Sequence, residues 1–312
     1  FTAIVTSYYA VLRSIGQVKL AVIVSVIALI IKSLLSYLLI FGVGSFPSLG
    51  VRGAAIATAF GWLFQFLLLL ILVYVLKTPL AVNPLKFFRF KKGFLLRVLG
   101  IAMPAAVNEF FWSIGITVYN AVYAHISTGA IAAIQITATI EEIAFVLFIG
   151  LGNACAIMVG NEIGAGKKEI AFEYSRRFLI IIIVIAIFAG IFVLLIRDPV
   201  ISLYKISSEV AYSANLLMTI FALTAWLRSI NFILFVGALR AGGDTRFSMV
   251  MEIFSIWVIG VPAALIGGFV LGLPVYGVYL LVLSEEMVKA FIMVYRFRSK
   301  KWIHDLVSIP VT

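Results

Sequence analysis

The sequence predicts an all-α polytopic membrane protein built on an internal parallel repeat, of which the first copy is incomplete. Hydrophobic residues make up 64% of the 312 residues and charged residues only 12%. Soluble domains are about 45–50% apolar and about 25% charged. The apolar runs extend over about 20 residues or more, the length that a helix needs to cross a bilayer. Strands of a membrane barrel would alternate polar and apolar residues over about ten positions, so we expect helices.

The repeat rests on a short polar turn that occurs twice. Residues 239–246 read Leu-Arg-Ala-Gly-Gly-Asp-Thr-Arg, and residues 12–19 read Leu-Arg-Ser-Ile-Gly-Gln-Val-Lys. At the same offset of 227 residues, Pro47 corresponds to Pro274 and Gly50 corresponds to Gly277. Parallel repeats of this kind are known in secondary transporters. The candidate conformational residues of the two turns are Arg13, Gly16, Arg240, Gly243 and Asp244.

Eight full spans follow the end of a helix at residues 1–12. They cover residues 19–42, 50–75, 96–124, 130–160, 174–196, 209–239, 247–271 and 276–295. The second turn is preceded by about 145 residues that belong to the second repeat, whereas the first turn is preceded by only eleven residues. We therefore expect a C-terminal fragment that lacks about the first three and a half helices.

Basic residues are concentrated in every second loop and at the C-terminus. The intervening loops contain only Arg52, Arg197 and Lys205. By the positive-inside rule, the basic loops and the C-terminus are cytoplasmic. The net charge of +11 therefore reflects topology in a cell membrane, and we expect the bilayer rather than nucleic acid as the partner of this charge.

The pattern divides the chain into four parts. Residues 1–77 end a first helical bundle, 78–94 link the bundles, 95–297 form the second bundle, and 298–312 form a cytoplasmic tail. In the linker, aromatic residues alternate with Lys and Arg, which predicts an amphipathic segment on the anionic inner leaflet. A solvated run of charge is an equal alternative.

Ionisable groups inside a span are costly and usually face a cavity or a partner. The acids within the spans are Glu109, Glu141, Glu142, Glu252, Glu285 and Glu286, and the bases are Lys32, Arg228 and Lys289. Glu252 is about one turn from the cytoplasmic end of its span, so we expect its side chain to reach water.

Glu109 is the leading candidate for binding the coupling ion, H⁺ or Na⁺. It follows Pro104 and Asn108, and a proline in a span frees a carbonyl that polar groups or a cavity must satisfy. A structural ion pair of Glu109 with Lys32 or Arg228 is the alternative.

Two pairs of adjacent acids pose a choice. Glu141 and Glu142 point about 100° apart on a helix, so we expect only one, Glu141, to face the centre of a cavity. Glu285 and Glu286 present the same choice, and Lys289 is placed for an i,i+4 pair with Glu285. Both acids of the first pair remain coupling candidates.

Other polar and aromatic residues are candidates for lining the cavity. Arg228 and Asn231 share one face of their span, and for Arg228 an internal ion pair is favoured over direct substrate contact. The remaining cavity candidates are Asn108, Trp112, Tyr119, Gln135 and Glu285. Gly160 and Gly164 suggest close packing and a flexible turn. His125 and His304 lie in loops on opposite sides, so we expect no Cys/His metal site and no cofactor. No Ser-His-Asp set can be assembled within a span, so we expect no enzyme.

These motifs resemble those of the multidrug and toxic compound extrusion (MATE) family of bacterial type. The resemblance is carried by both turns, residues 50–58, residues 154–166 and the span with Pro104. It implies twelve spans in two six-helix bundles and export of cationic or amphipathic drugs in exchange for H⁺ or Na⁺. Several members use an acid in the seventh span to bind the coupling ion, and the resemblance therefore implies this role for Glu109. Those members also have an acid in the tenth span, and residues 209–239 have none internally.

We therefore expect a monomeric cation-coupled antiporter that works by alternating access between two bundles. A lipid-linked precursor flippase of related fold is the first alternative. It would line its cavity with several bases, and only Lys32, Arg228 and Lys289 are available. A partial gene product that is inactive on its own is the second alternative.

Overall fold

The chain is helical wherever the structure describes it. The computed structural model describes residues 2–44, 47–81 and 92–304, and within these ranges every regular element is a helix. The helices are α1 (Thr2–Ser14), α2 (Val18–Phe41), α3 (Val51–Val75), α4 (Lys92–Ile126), α5 (Thr128–Gly164), α6 (Lys168–Ser202), α7 (Ser208–Phe232), α8 (Thr245–Phe254), α9 (Val261–Leu265) and α10 (Val275–Arg298). This confirms the predicted all-α membrane class.

Seven helical segments in the described part of the chain are long and apolar enough to cross a membrane. The eighth predicted span is present as α10, but its charged residues keep it outside that set. The ends of the helices differ from the predicted edges by a few residues. For example, α4 continues to Ile126, so His125 is in the last turn of a helix rather than in a loop.

Three π-helical segments were not predicted. One, Ile233–Leu239, extends α7. Of the other two, Ser255–Gly260 joins α8 to α9 and Ile266–Val270 continues α9, so that residues 245–270 form one continuous span. Segments of this type widen a helix locally and are frequent at functional sites.

The chain forms two compact units, Phe1–Phe94 and Leu95–Thr312. In the first unit α1, α2 and α3 pack around a core that includes Val5, Leu12 and Val24. The amide of Gln65 donates a 2.7 Å hydrogen bond to the hydroxyl of Tyr9 there. The predicted linker falls largely on residues 82–91, which are outside the described residues.

The second unit contains α4 to α10. Its helices approach closely where glycine faces a neighbour, as Gly190 of α6 does against the carbonyl oxygen of Ala222 in α7. Beyond α10, residues 299–304 pack back on the unit, and Trp302 is fully buried. Residues 305–312 of the predicted tail are outside the described residues.

The two copies of the turn have the same backbone geometry. Gly16 and Gly243 both have positive φ, +79° and +86°. In the first turn the amides of Gly16 and Gln17 donate to the carbonyl groups of Arg13 and Leu12 at 3.1 and 2.8 Å. The second turn repeats this with 3.1 and 2.9 Å bonds at the same offsets. This is the glycine-terminated helix end in which a left-handed residue satisfies the last carbonyl groups.

A third turn of the same kind corrects the assignment of Gly160 and Gly164. Both glycines lie within α5, so neither forms the turn. The turn residue is Gly166, with φ +77°, because a helix end of this kind needs a left-handed residue immediately after its last turn. The amide of Lys167 closes it with a 2.9 Å bond to the carbonyl of Glu162.

Candidate functional site

A cavity of about 690 Å³ lies within the second unit. It is lined by α4, α5, α7, α8, α10 and two of the π-helical segments, Ile233–Leu239 and Ser255–Gly260. The predicted coupling and cavity residues that border it are Asn108, Glu109, Trp112, Tyr119, Gln135, Glu141, Glu142, Arg228, Asn231 and Glu285. Their roles in coupling and substrate binding remain predictions.

The ionisable lining of this cavity is predominantly acidic. Six carboxyl groups border it, from Glu109, Glu141, Glu142, Glu252, Glu285 and Glu286. The bases are Arg228, Arg240 and Lys289. With all nine groups charged, the acids outnumber the bases two to one, which favours a cation over an anion in the cavity.

Arg228 and Glu141 form an ion pair inside the cavity. A terminal nitrogen of the Arg228 guanidinium donates to Glu141 Oε2 at 2.7 Å, and Tyr279 Oη donates to Glu141 Oε1 at 2.5 Å. The other terminal nitrogen of Arg228 donates to Tyr279 Oη at 2.9 Å. The guanidinium also lies 5.8 Å from the centre of the Phe221 ring. The Arg228 side chain is therefore held by fixed partners from three helices.

A second polar cluster surrounds Lys289 of α10. Its Nζ lies 3.0 Å from Glu285 Oε1, 3.2 Å from Glu252 Oε1 and 3.7 Å from Glu286 Oε1. The hydroxyl of Tyr119 in α4 donates to Glu285 Oε2 at 2.6 Å. We call Glu252, Glu285, Glu286 and Lys289 the lysine cluster.

The lysine cluster corrects the expectation for Glu252. Its side chain is not at the end of the span but is buried, borders the cavity and faces Lys289. The physical reason is the partner: a buried ammonium on α10 attracts the carboxylate inward more strongly than the nearby end of the span draws it outward.

Asn231 connects the lysine cluster to α7. Its amide nitrogen donates to Glu286 Oε2 at 2.5 Å and to the backbone oxygen of Glu286 at 2.9 Å. Its amide oxygen is buried and has no hydrogen-bond partner among the described residues. The amide oxygen of the buried Asn108 in α4 likewise has no hydrogen-bond partner among the described residues.

Glu109 does not pair with Arg228, which is held by Glu141. Its Oε1 lies 3.0 Å from a terminal nitrogen of Arg240, the arginine of the second turn. The Arg240 guanidinium also lies 4.1 Å from the centre of the Phe235 ring. The Glu109 side chain is 61% exposed and borders the cavity. The carboxylate therefore joins α4 to the turn between α7 and α8.

Both members of each acid pair border the cavity, and which member of each pair faces its centre stays a prediction. The cavity is wide and its wall is built from several helices, and side chains 100° apart therefore still reach it. The members differ in environment instead: Glu141 is held by Arg228, whereas Glu142 is exposed.

Asp244 fixes the second turn to α10 and to the segment that follows it. It is buried, and its Oδ2 accepts a 2.7 Å bond from Arg296 Nε of α10. His304 Nε2 lies 3.6 Å from Asp244 Oδ1, and the backbone amide of His304 donates to the carbonyl of Gly242 at 2.9 Å. The turn that carries Arg240 is thus tied to the end of α10 and the segment after it.

Comparison with known families gives the deciding observation. The MatE family profile matches residues 104–266, which is more than half of the chain. The chain belongs to the MatE family. The matched region includes the helices that carry Glu109, Glu141, Arg228 and Glu252, whereas α10 with Lys289 lies beyond it.

Curated relatives of this family are described as transporters. The chain is 26% identical over 301 residues to an uncharacterized transporter, YisQ, of Bacillus subtilis, covering 96% of this chain and 66% of that protein. It is 26% identical over 307 residues to a probable multidrug resistance protein, NorM, of Thermotoga maritima, covering 96% and 64%. The chain therefore spans just under two thirds of the length of these relatives.

Solved structures of the family show the same fold. A Vibrio cholerae MATE transporter matches with a TM-score of 0.80 at 18% identity, over 95% of this chain and 66% of that one. A MOP superfamily transporter from Pyrococcus furiosus matches with a TM-score of 0.77 at 21% identity, over 93% and 64%. At these identities the similarity extends to the fold alone.

Proposed function

We propose that the chain carries the substrate cavity of a cation-coupled antiporter that exports organic cations or amphipathic drugs. The observation that supports this most strongly is the acidic cavity of about 690 Å³, since drug-sized ligands occupy cavities of about 300–1,000 Å³. The family and the relatives named as multidrug resistance proteins agree with this function.

Aromatic side chains give the cavity a second means of binding an organic cation. Trp112, Tyr119 and Tyr123 border it from one helix, α4. A cation over an aromatic face is attracted by about 0.5–2 kcal/mol, more when water is excluded. A flat, positively charged aromatic compound would therefore find both a counter-charge and a stacking surface.

Glu109 is the acid proposed to couple ion binding to a conformational change. Its only described ion-pair partner is Arg240, so H⁺ or Na⁺ on the carboxylate would release the turn that carries Arg240. A ligand shifts a conformational equilibrium only by its difference in affinity for the two states. Because the ion competes with Arg240 for Glu109, it would bind more tightly to the state in which this pair is broken. In this proposal, that difference in affinity drives alternating access between two bundles.

The protein is proposed to reside in the cell membrane as a multi-pass monomer with a cytoplasmic C-terminus. This topology places the basic loops, including the turn with Arg240 and Arg246, on the cytoplasmic side. The flippase alternative is disfavoured because a pyrophosphate-bearing lipid would meet six carboxyl groups and three bases in this cavity.

The proposed function is tested by binding of radiolabelled tetraphenylphosphonium to the purified protein of full natural length. Wild type is expected to bind it, and lowering the pH or adding Na⁺ is expected to displace it. Glu109→Gln is expected to bind with little sensitivity to the coupling ion. The matched control is Glu169→Gln, an exposed acid outside the cavity. Absence of binding to wild type under all conditions would contradict the proposal.

A further inference from the structure

The segment that follows α10 packs directly on the second turn. Trp302 of this segment is fully buried, and a Cβ atom at Gly242 of the turn would overlap both its ring and its backbone oxygen. The backbone amide of His304 donates to the carbonyl of Gly242 at 2.9 Å. The segment and the turn are therefore in contact through backbone and side chain, with no space between them for a larger residue.

We infer that residues 299–304 form a latch on the second turn, in which Trp302 is a positioning residue for Arg240. The latch holds the turn where the Arg240 guanidinium meets the Glu109 carboxylate. This inference rests on the proposed coupling role of that ion pair, and it assigns a part in coupling to a side chain outside the cavity.

The Trp302 ring is held by two helices that do not belong to the turn. It stacks on the ring of Phe297 in α10, with the centroids 5.8 Å apart and the planes 17° apart. Phe297 stacks in turn on Phe172 of α6 at 5.0 Å. The indole nitrogen of Trp302 donates to the backbone oxygen of Phe297 at 3.1 Å. Since buried aromatic side chains contribute much of the packing where they occur, α6 and α10 give the latch a fixed base.

Polar contacts add to this packing on the far side of the turn. Arg296 Nε of α10 donates to the buried Asp244 Oδ2 at 2.7 Å, which fixes the residue that precedes α8. The pair between Lys300 and Glu169 is exposed on both sides, and exposed pairs contribute little. The buried contacts therefore carry the latch.

The first turn has the same backbone geometry but a different environment. Ile15, which corresponds to Gly242 at the offset of 227 residues, is 42% exposed. Among the described residues, no atom lies within 4 Å of the Cβ position of Gly16. A turn of this geometry thus forms without a latch. What the latch adds to the second turn is a fixed position relative to α6 and α10.

A fixed turn has a direct consequence for the ion pair. Arg240 is two residues before Gly242 in the chain, and its terminal nitrogen lies 3.0 Å from Glu109 Oε1. Loss of the latch would let the backbone of the turn move and would favour the state in which this pair is broken. The coupling ion competes with Arg240 for Glu109, so it would then bind at lower concentration.

The latch is tested by hydrogen exchange and mass spectrometry on the purified protein of full natural length in lipid nanodiscs. Trp302→Ala is expected to speed exchange in residues 239–246, where the amides of Gly243 and Asp244 are hydrogen-bonded within the turn. Residues 12–19 form the internal control and should exchange as in wild type. Trp302→Phe, which keeps a stacked ring, should restore slow exchange.

Two outcomes of this measurement would overturn the inference. One is unchanged exchange in residues 239–246, and the other is an equal rise in both turns, which would indicate general destabilisation. If Trp302→Ala does not fold, Trp302→Leu keeps an apolar side chain without the stacked ring, and the same outcomes apply to it. Trp226→Ala removes an exposed tryptophan of α7 outside the latch and is the matched control.

The role in coupling is tested by displacement of radiolabelled tetraphenylphosphonium with H⁺ or Na⁺. Trp302→Ala is expected to lower the ion concentration for half displacement by about 2- to 30-fold, the range in which remote substitutions alter coupling. Trp302→Phe and Trp226→Ala should behave as wild type. A lower melting temperature with unchanged displacement would reduce Trp302 to a structural role and overturn the inference. Hydrogen exchange requires no ligand, so selective exchange at the second turn in a protein that binds no tetraphenylphosphonium would contradict the proposed function alone.

Discussion

The hydroxyl of Tyr119 and the carboxylate of Glu285 are joined by a 2.6 Å hydrogen bond between α4 and α10. The bond passes directly beside Gly260, the last residue of a π-helical segment. A Cβ atom at Gly260 would overlap both Tyr119 Oη and Glu285 Oε2. The absence of a side chain at this one position therefore allows the lysine cluster to connect to α4.

Gly260→Ala is expected to destabilise the protein and to break the bond between Tyr119 and Glu285. Forcing extra atoms into a packed interior costs about 1–3 kcal/mol, which thermal unfolding of the purified protein can measure. Gly150→Ala in α5 is the matched control, because no atom lies within 4 Å of its Cβ position. Equal melting temperatures for the two variants would contradict the close approach of Tyr119 and Glu285 to Gly260.

Arg228→Met is expected to destabilise the protein by about 1–3 kcal/mol, because the partly buried carboxylate of Glu141 is left without its base. The double variant Arg228→Met with Glu141→Gln is expected to recover much of this loss. A double-mutant cycle on unfolding free energies measures the coupling. Simple additivity of the two single effects would contradict the ion pair.

Arg240→Met is expected to affect transport far more than stability. The Glu109 side chain is 61% exposed, and exposed pairs contribute about 0–1 kcal/mol. The loss of efflux is expected to match that of Glu109→Gln, since both changes remove the same link between α4 and the second turn. Arg177→Met is the control, because Arg177 pairs with an exposed acid outside the cavity. Unimpaired efflux in Arg240→Met would contradict a coupling role for this pair.

Gly242→Ala is expected to displace the segment that follows α10. A Cβ atom at Gly242 would overlap the ring and the backbone oxygen of Trp302, which is fully buried. Trypsin should then cut faster at Lys300 and Lys301, which directly precede the displaced Trp302. Gly160→Ala is a suitable comparison, since the space around that position is open. Identical cleavage rates in the two variants would contradict docking of Trp302 on the turn.

The sequence predicted the helices because their signal is local. Apolar runs of membrane length are readable without any partner, and the i,i+4 spacing placed Glu285 beside Lys289 at the observed 3.0 Å. The turn glycines Gly16 and Gly243 were readable for the same reason, since a left-handed helix end favours glycine.

The environment of Glu252 could not be predicted from the sequence. Its partner Lys289 lies 37 residues further along the chain, on another helix, and the contact depends on how the two helices are rotated. The π-helical segments, which shift that rotation, leave no periodic signal. Arg240 as the partner of Glu109 was missed for a similar reason, because 131 residues separate them.

The central claim is tested most directly by efflux of a fluorescent organic cation from vesicles containing the full-length protein. An imposed proton gradient is compared with an imposed Na⁺ gradient, in wild type, in Glu109→Gln and in Glu169→Gln. Efflux driven by one of the two gradients is expected in wild type and in Glu169→Gln, with its loss in Glu109→Gln. Unchanged efflux in Glu109→Gln would contradict the coupling role of Glu109. Absence of efflux from wild type under either gradient would contradict the exporter itself.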